Sequence, residues 1–134
     1  MEKENFEITV MDRFTVLNNN RVGASKSSYI SVNRNDGRIV FTELMQERIK
    51  LRCGDAVSFV FSKENNDVFV TKNENGFVLR LQGKDRGAVM FSNKAVAAMI
   101  HDNFKSSESS LKLKAYPEPV IINDDIVAWK LLKI

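Results

Sequence analysis

At 134 residues the chain has room for one ordinary domain, or for two small halves that share a core. Its 43% apolar and 28% charged residues describe a globular rather than a disordered composition. The net charge of +3 is mild and near-balanced within 1–25, 26–72 and 73–134, so no half is a basic tail, and a single cysteine, Cys53, excludes an internal disulfide and a cysteine metal cage.

Met1-Glu2-Lys3-Glu4-Asn5 is charged and no apolar h-region follows it, so no secretory signal is expected there. No apolar run approaches the ~20 residues of a membrane helix. The expectations are therefore no membrane association and a cytoplasmic location. Phe6-Glu7-Ile8-Thr9-Val10 alternates apolar and polar residues, and Phe14 to Leu17 continues the apolar character. One or two strands are predicted here, as an N-terminal arm. Asn18 to Ser28 is polar and turn-rich, a connection with little to bury.

Tyr29 to Val32 predicts a strand, and Asn33-Arg34-Asn35-Asp36-Gly37 a tight turn whose Asp-Gly pair supplies positive φ. Arg38 to Phe41 is a second strand. Thr42 is placed as the N-cap of a helix of about two turns, with Glu43 at its positive end. Leu44, Met45 and Ile49 form its buried face. Gly54-Asp55 launches Val57 to Phe61; Asn65-Asn66 turns the chain, and Val68 to Val70 returns.

The same order then recurs about fifty positions on. Phe77 to Leu81 is a strand, and Gly83-Lys84-Asp85-Arg86-Gly87 a turn. Gly87-Ala88-Val89-Met90-Phe91-Ser92-Asn93 repeats Gly37-Arg38-Ile39-Val40-Phe41-Thr42-Glu43 in pattern. Ser92 is the expected cap of a helix from Lys94 to His101, with Val96, Met99 and Ile100 facing the core. Lys105 to Ser110 is a loop. Leu111, Leu113 and Ala115 alternate with Lys112 and Lys114 in a half-buried strand. Tyr116-Pro117-Glu118-Pro119 interrupts the ladder, because proline has no N–H to donate. Val120 to Ile122, a turn at Asn123-Asp124-Asp125, and Ile126 to Leu132 finish the sheet.

The fold class predicted is mostly β (α+β): a small pseudo-symmetric barrel of two βαββ halves with two short helices and an N-terminal strand arm. The predicted division is an arm at 1–28 and a duplicated domain at 29–134, with copies at 29–75 and 76–134.

Asp36 to Glu43, the helix to Leu51, and Gly54-Asp55-Ala56-Val57-Ser58-Phe59 resemble the half-barrel of the AbrB/MazE-type swapped-hairpin proteins and the related double-psi barrels, grouped as cradle-loop barrels. The shared mark is the Gly-Asp pair after the helix. Glycine permits a tight strand crossing, and the aspartate can accept from backbone N–H groups of the adjacent turn. The resemblance covers Tyr29 to Val70 well and the rest loosely. Ser109-Ser110 stands where a second Gly-Asp would be, Thr42 stands where such proteins often carry proline, and 1–28 lies outside the module. For the swapped-hairpin branch the resemblance implies a regulator that binds duplex DNA through basic residues of the barrel loops. The matching positions are Lys26, Arg34 and Arg38 in the first copy and Lys84 and Arg86 in the second; Asp36 and Asp85 lie among them.

No constellation for catalysis is found. One histidine, His101, and one cysteine make neither a Ser/His/Asp triad nor a Cys/His dyad. His101 reads as a helix C-terminal residue favouring the dipole, Cys53 as a small half-buried residue, and Asp124-Asp125 as turn formers. No cofactor or metal is expected, and no enzymatic activity. Trp129 and Tyr116, with Lys112, Lys114 and Lys130, could form a stacking surface for single strands, although aromatic residues in strands more often pack a core. The alternating lysines also suit an edge strand that must avoid aggregation. The alternative to DNA binding is a non-enzymatic protein-interaction or assembly module, using the barrel and the N-terminal arm, with a protein partner or a homo-oligomer.

Overall fold

The structure is a computed structural model that describes residues 28–83 and 87–134. The expected arm at 1–28 lies, except for Ser28, outside the described residues, as do Lys84, Asp85 and Arg86. Among the described residues ten strands and two helices follow one another: β1 Ile30–Asn33, β2 Arg38–Phe41, α1 Glu43–Ile49, β3 Ala56–Ser62, β4 Asp67–Lys72, β5 Phe77–Val78, β6 Arg80–Leu81, β7 Val89–Ser92, α2 Lys94–Asn103, β8 Ser110–Ala115, β9 Val120–Ile122 and β10 Ile126–Lys133. Among the described residues no helix is long and apolar enough to cross a membrane.

All pairings are antiparallel, in the order β5-β3-β4-β10-β8-β1-β2-β7-β6, with β9 attached to β10. Leu79 alone separates β5 from β6, so the two ends of that order are consecutive pieces of one strand and the barrel nearly closes. The pairing pattern has a pseudo-twofold. β1 pairs with β8 as β5 pairs with β3; β1 pairs with β2 as β6 pairs with β7; β8 pairs with β10 as β3 pairs with β4. β2–β7 and β4–β10 are each strand against counterpart.

Alternation builds the interior. Ile30 and Val32, Ile39 and Phe41, Val68 and Val70, and Leu111 and Leu113 point inward and are buried, while their neighbours face out. The turns are as the residues require. Gly37 has φ 76°, Asn66 has φ 58°, and Asn123 and Asp124 are also left-handed.

Gly37 also shows why the halves interlock. A Cβ there would lie 2.6 Å from the Lys94 nitrogen and 2.8 Å from the Asn93 carbonyl carbon. Its carbonyl accepts from the Asn93 N–H at 2.9 Å. The counterpart, Gly87, sits over Glu43, and its carbonyl accepts from the Gln46 side chain. Each turn glycine thus rests on the first turn of the other half's helix.

Both helices carry corrections. Thr42 caps α1, accepting from the Met45 N–H at 3.3 Å, but the cap of α2 is Asn93, not Ser92; its side chain accepts from the Val96 N–H at 2.9 Å. Ser92 remains in β7, paired with Arg38. The face of α2 is Ala97, Ile100 and His101, while Met99 is 50% exposed. His101 turns inward because its Nε2 lies 3.0 Å from the Val32 carbonyl of β1, the ring donating across the helix–sheet seam. In α1, Gln46 joins Met45 and Ile49 as buried.

Candidate nucleic-acid interface

Gly54-Asp55 behaves as its chemistry suggests. Gly54 has φ 96°, and the Asp55 carboxylate accepts from the Arg52 N–H at 3.0 Å. Gly54 donates to the Leu79 carbonyl, and Leu79 donates back to Asp55, both at 2.8 Å, which draws the closing strand onto β3. In the other half the Arg34 N–H donates to the Ser109 carbonyl at 2.8 Å, so Ser109 fills the ladder position of Asp55 without a turn-forming carboxylate. Cys53, read as half-buried, is exposed.

Of the five basic positions singled out in the loops, Lys26, Lys84 and Arg86 lie outside the described residues. Arg34 and Arg38 flank the β1–β2 turn. Arg34 is spent internally: its guanidinium donates to the Ser106 carbonyl at 2.8 Å and lies 3.5 Å from Asp102, tying the turn to the end of α2. Arg38 is half-exposed, 3.8 Å from Asp36. Asp36 also accepts from the Arg38 N–H, so that carboxylate belongs to the turn and travels with the arginine.

A second set of cations, on strands rather than loops, is brought together on the outer face of the barrel. β8 lies between β1 and β10, both of its edges paired, so its lysines do not protect an edge. Its burial alternates strictly, with Lys112 and Lys114 exposed and Leu111, Leu113 and Ala115 inside. Tyr29 precedes β1, and the Lys112 ammonium lies 4.7 Å from its ring centroid. Tyr116 follows β8, and the Lys130 ammonium of β10 lies 5.0 Å from its ring. Lys130 is half-buried and 3.5 Å from Asp67. Among the described residues neither Lys112 nor Lys114 is ion-paired. Arg38 faces the same side two strands away, since Arg38 and Lys112 both take outward positions on strands flanking β1.

Trp129, grouped with Tyr116 as a stacking platform, is instead a core residue at 9% exposure and does not share this face. The tyrosine rings are each overlain by a lysine, so a base would have to displace an ammonium to stack. The face is built to present positive charge held over aromatic rings. The alternating lysines were visible in the sequence; what was not visible was that β8 is an interior strand, which long-range pairing alone decides.

Among the described residues no group of three His, Cys, Asp or Glu side chains is placed to hold a metal ion. His101 is fully buried and in contact with a carbonyl, not with solvent. The chain matches no protein-family model, no curated protein and no solved structure.

Proposed function

We propose that the chain is a non-enzymatic nucleic-acid-binding barrel that contacts the phosphates of duplex DNA through its outer β2–β1–β8–β10 face. The observation that carries this reading is the pair of exposed lysines, Lys112 and Lys114, without an ion pair among the described residues, on a strand whose two edges are both occupied. Arg38 and Lys130 extend the cationic face on either side, and the lysine-capped tyrosines favour phosphate contact over base stacking. The interlocked pairing of two βαββ units and the Gly54-Asp55 geometry support kinship with the cradle-loop barrels, whose AbrB/MazE-type members use the fold in DNA-binding regulators. In this chain the contact surface lies on the sheet and keeps Arg38 but not Arg34, which is committed to Ser106 and Asp102.

The test is fluorescence anisotropy of a labelled random duplex, titrated at several salt concentrations. Each phosphate contact contributes about −0.9 to the slope of log affinity against log salt. The double variant Lys112→Glu/Lys114→Glu should therefore flatten that slope by about 2. Lys63→Glu, on the β3–β4 turn, should leave it unchanged. Equal binding by the double variant, or no binding at low salt, would remove the proposed face.

A further inference from the structure

Both helices end in the same way, with a lysine in the left-handed position that glycine ordinarily takes. After α1, Lys50 has φ 61° and the Leu51 N–H donates to the Gln46 carbonyl at 2.8 Å. After α2, Lys105 has φ 55° and its N–H donates to the Asp102 carbonyl at 3.1 Å, while the Ser106 N–H donates to the His101 carbonyl at 2.9 Å. A Cβ is disfavoured in this conformation, so each lysine is held at a cost that glycine would avoid. Each also lines a cleft between its helix and a strand hairpin. A lysine at a helix end offsets the dipole, but that role calls for neither a cleft nor a second lysine facing it.

The two clefts differ in free charge. The smaller, about 230 Å³ at the end of α1, has Lys72 as its second lysine, and Lys72 lies 3.4 Å from Asp55. The larger, about 370 Å³ at the end of α2, has Lys63 from the β3–β4 turn. Lys63 and Lys105 are both exposed and without an ion pair among the described residues. The one carboxylate lining this cleft, Asp102, already faces Arg34 at 3.5 Å. Its apolar wall is Phe61, which packs against the core, and Met99, which is half-exposed. The walls are tied in place: Asn103 donates to the Asn66 carbonyl of the hairpin turn, and Arg34 donates to the Ser106 carbonyl behind the helix end.

We propose that this larger cleft binds a small organic anion with an aromatic body, the ring against Phe61 and Met99 and the acidic group at Lys63 and Lys105. The volume falls within the roughly 300–1,000 Å³ of small-ligand sites. A phenyl ring and a thioether together suit an aromatic body. Two ammonium groups at the rim select an anion, and a neutral or cationic ligand would leave both uncompensated. A duplex phosphate brings no apolar body, so the cleft is separate from the Lys112–Lys114 face.

The test is a titration of the full chain with anilinonaphthalene sulfonate, followed by methionine methyl resonances. The Met99 methyl, assigned with Met99→Leu, should shift saturably, while the buried Met45 and Met90 methyls stay in place. The exposed double variant Lys63→Glu/Lys105→Glu should bind about tenfold or more weakly, with the Met45 methyl unchanged as the sign of an intact fold. The neutral analogue phenylnaphthylamine should bind more weakly than the sulfonate. A Met99 methyl that does not shift would overturn the proposal. So would equal affinity of the double variant, equal affinity for the neutral analogue, or a shift shared by all three methyls, the mark of binding without a site. None of these outcomes bears on Lys112 and Lys114.

Discussion

Gly37 and Gly54 share a left-handed backbone and differ in surroundings, which separates two costs of replacing a glycine. At Gly54 (φ 96°) nothing lies within 4 Å of a built Cβ. Gly54→Ala should cost only the left-handed strain, about 1–2 kcal/mol. At Gly37 the same strain adds to a Cβ placed 2.6 Å from a backbone nitrogen of α2, which cannot move without shifting the helix. Gly37→Ala should therefore destabilise by roughly twice as much or more, through strain plus overpacking. Chemical denaturation of both variants reads this directly, and equal midpoints would show that α2 yields freely. The turn that needed Gly37 was legible in Asp36-Gly37; the helix pressing on it, drawn from residues 93–94, was not.

At the scale of elements, the two helices show where local chemistry suffices. Thr42 was readable as a cap because the extended strand ends one residue earlier. Ser92 invited the same reading, but β7 keeps Ser92 in register with Arg38, and the cap passes to Asn93. Asn93→Ala should cost about 1 kcal/mol of stability, and Ser92→Ala a few tenths at most. Thermal unfolding of the pair decides it, and the reverse order would return the cap to Ser92. The face of α2 was misread for a related reason. Val96, Met99 and Ile100 satisfy helical spacing, but the sheet beneath recruits Ala97, Ile100 and His101. A small residue lets the helix approach, and the imidazole reaches the Val32 carbonyl. Periodicity marks an apolar stripe; its centre depends on what lies opposite.

Across the whole molecule, neither half owns its neighbours. β1 completes its pairing on β8, and the β5–β6 strand completes its pairing on β3 and β7. A fragment of residues 29–75 leaves the outer edge of β1 open and Ile30, Val32 and Phe41 short of partners. Alone, it should lack a cooperative unfolding transition as a monomer. An equimolar mixture with 76–134 should regain one, by circular dichroism and by dispersed amide spectra. A fragment that folds cooperatively as a monomer would mean that the halves are independent domains.

From Tyr29 onward the strands, the turns, the two short helices and the mostly β barrel were legible in the residues, because alternation, Asp-Gly turns and capping side chains act over a few residues. The sequence also exposed Lys112 and Lys114 as an outward pair. Long-range pairing makes β8 an interior strand, commits Arg34 to Ser106 and Asp102, and parts Trp129 from Tyr116. Each of these depends on which distant segments become neighbours, and chain closure sets that, not the local pattern of residues.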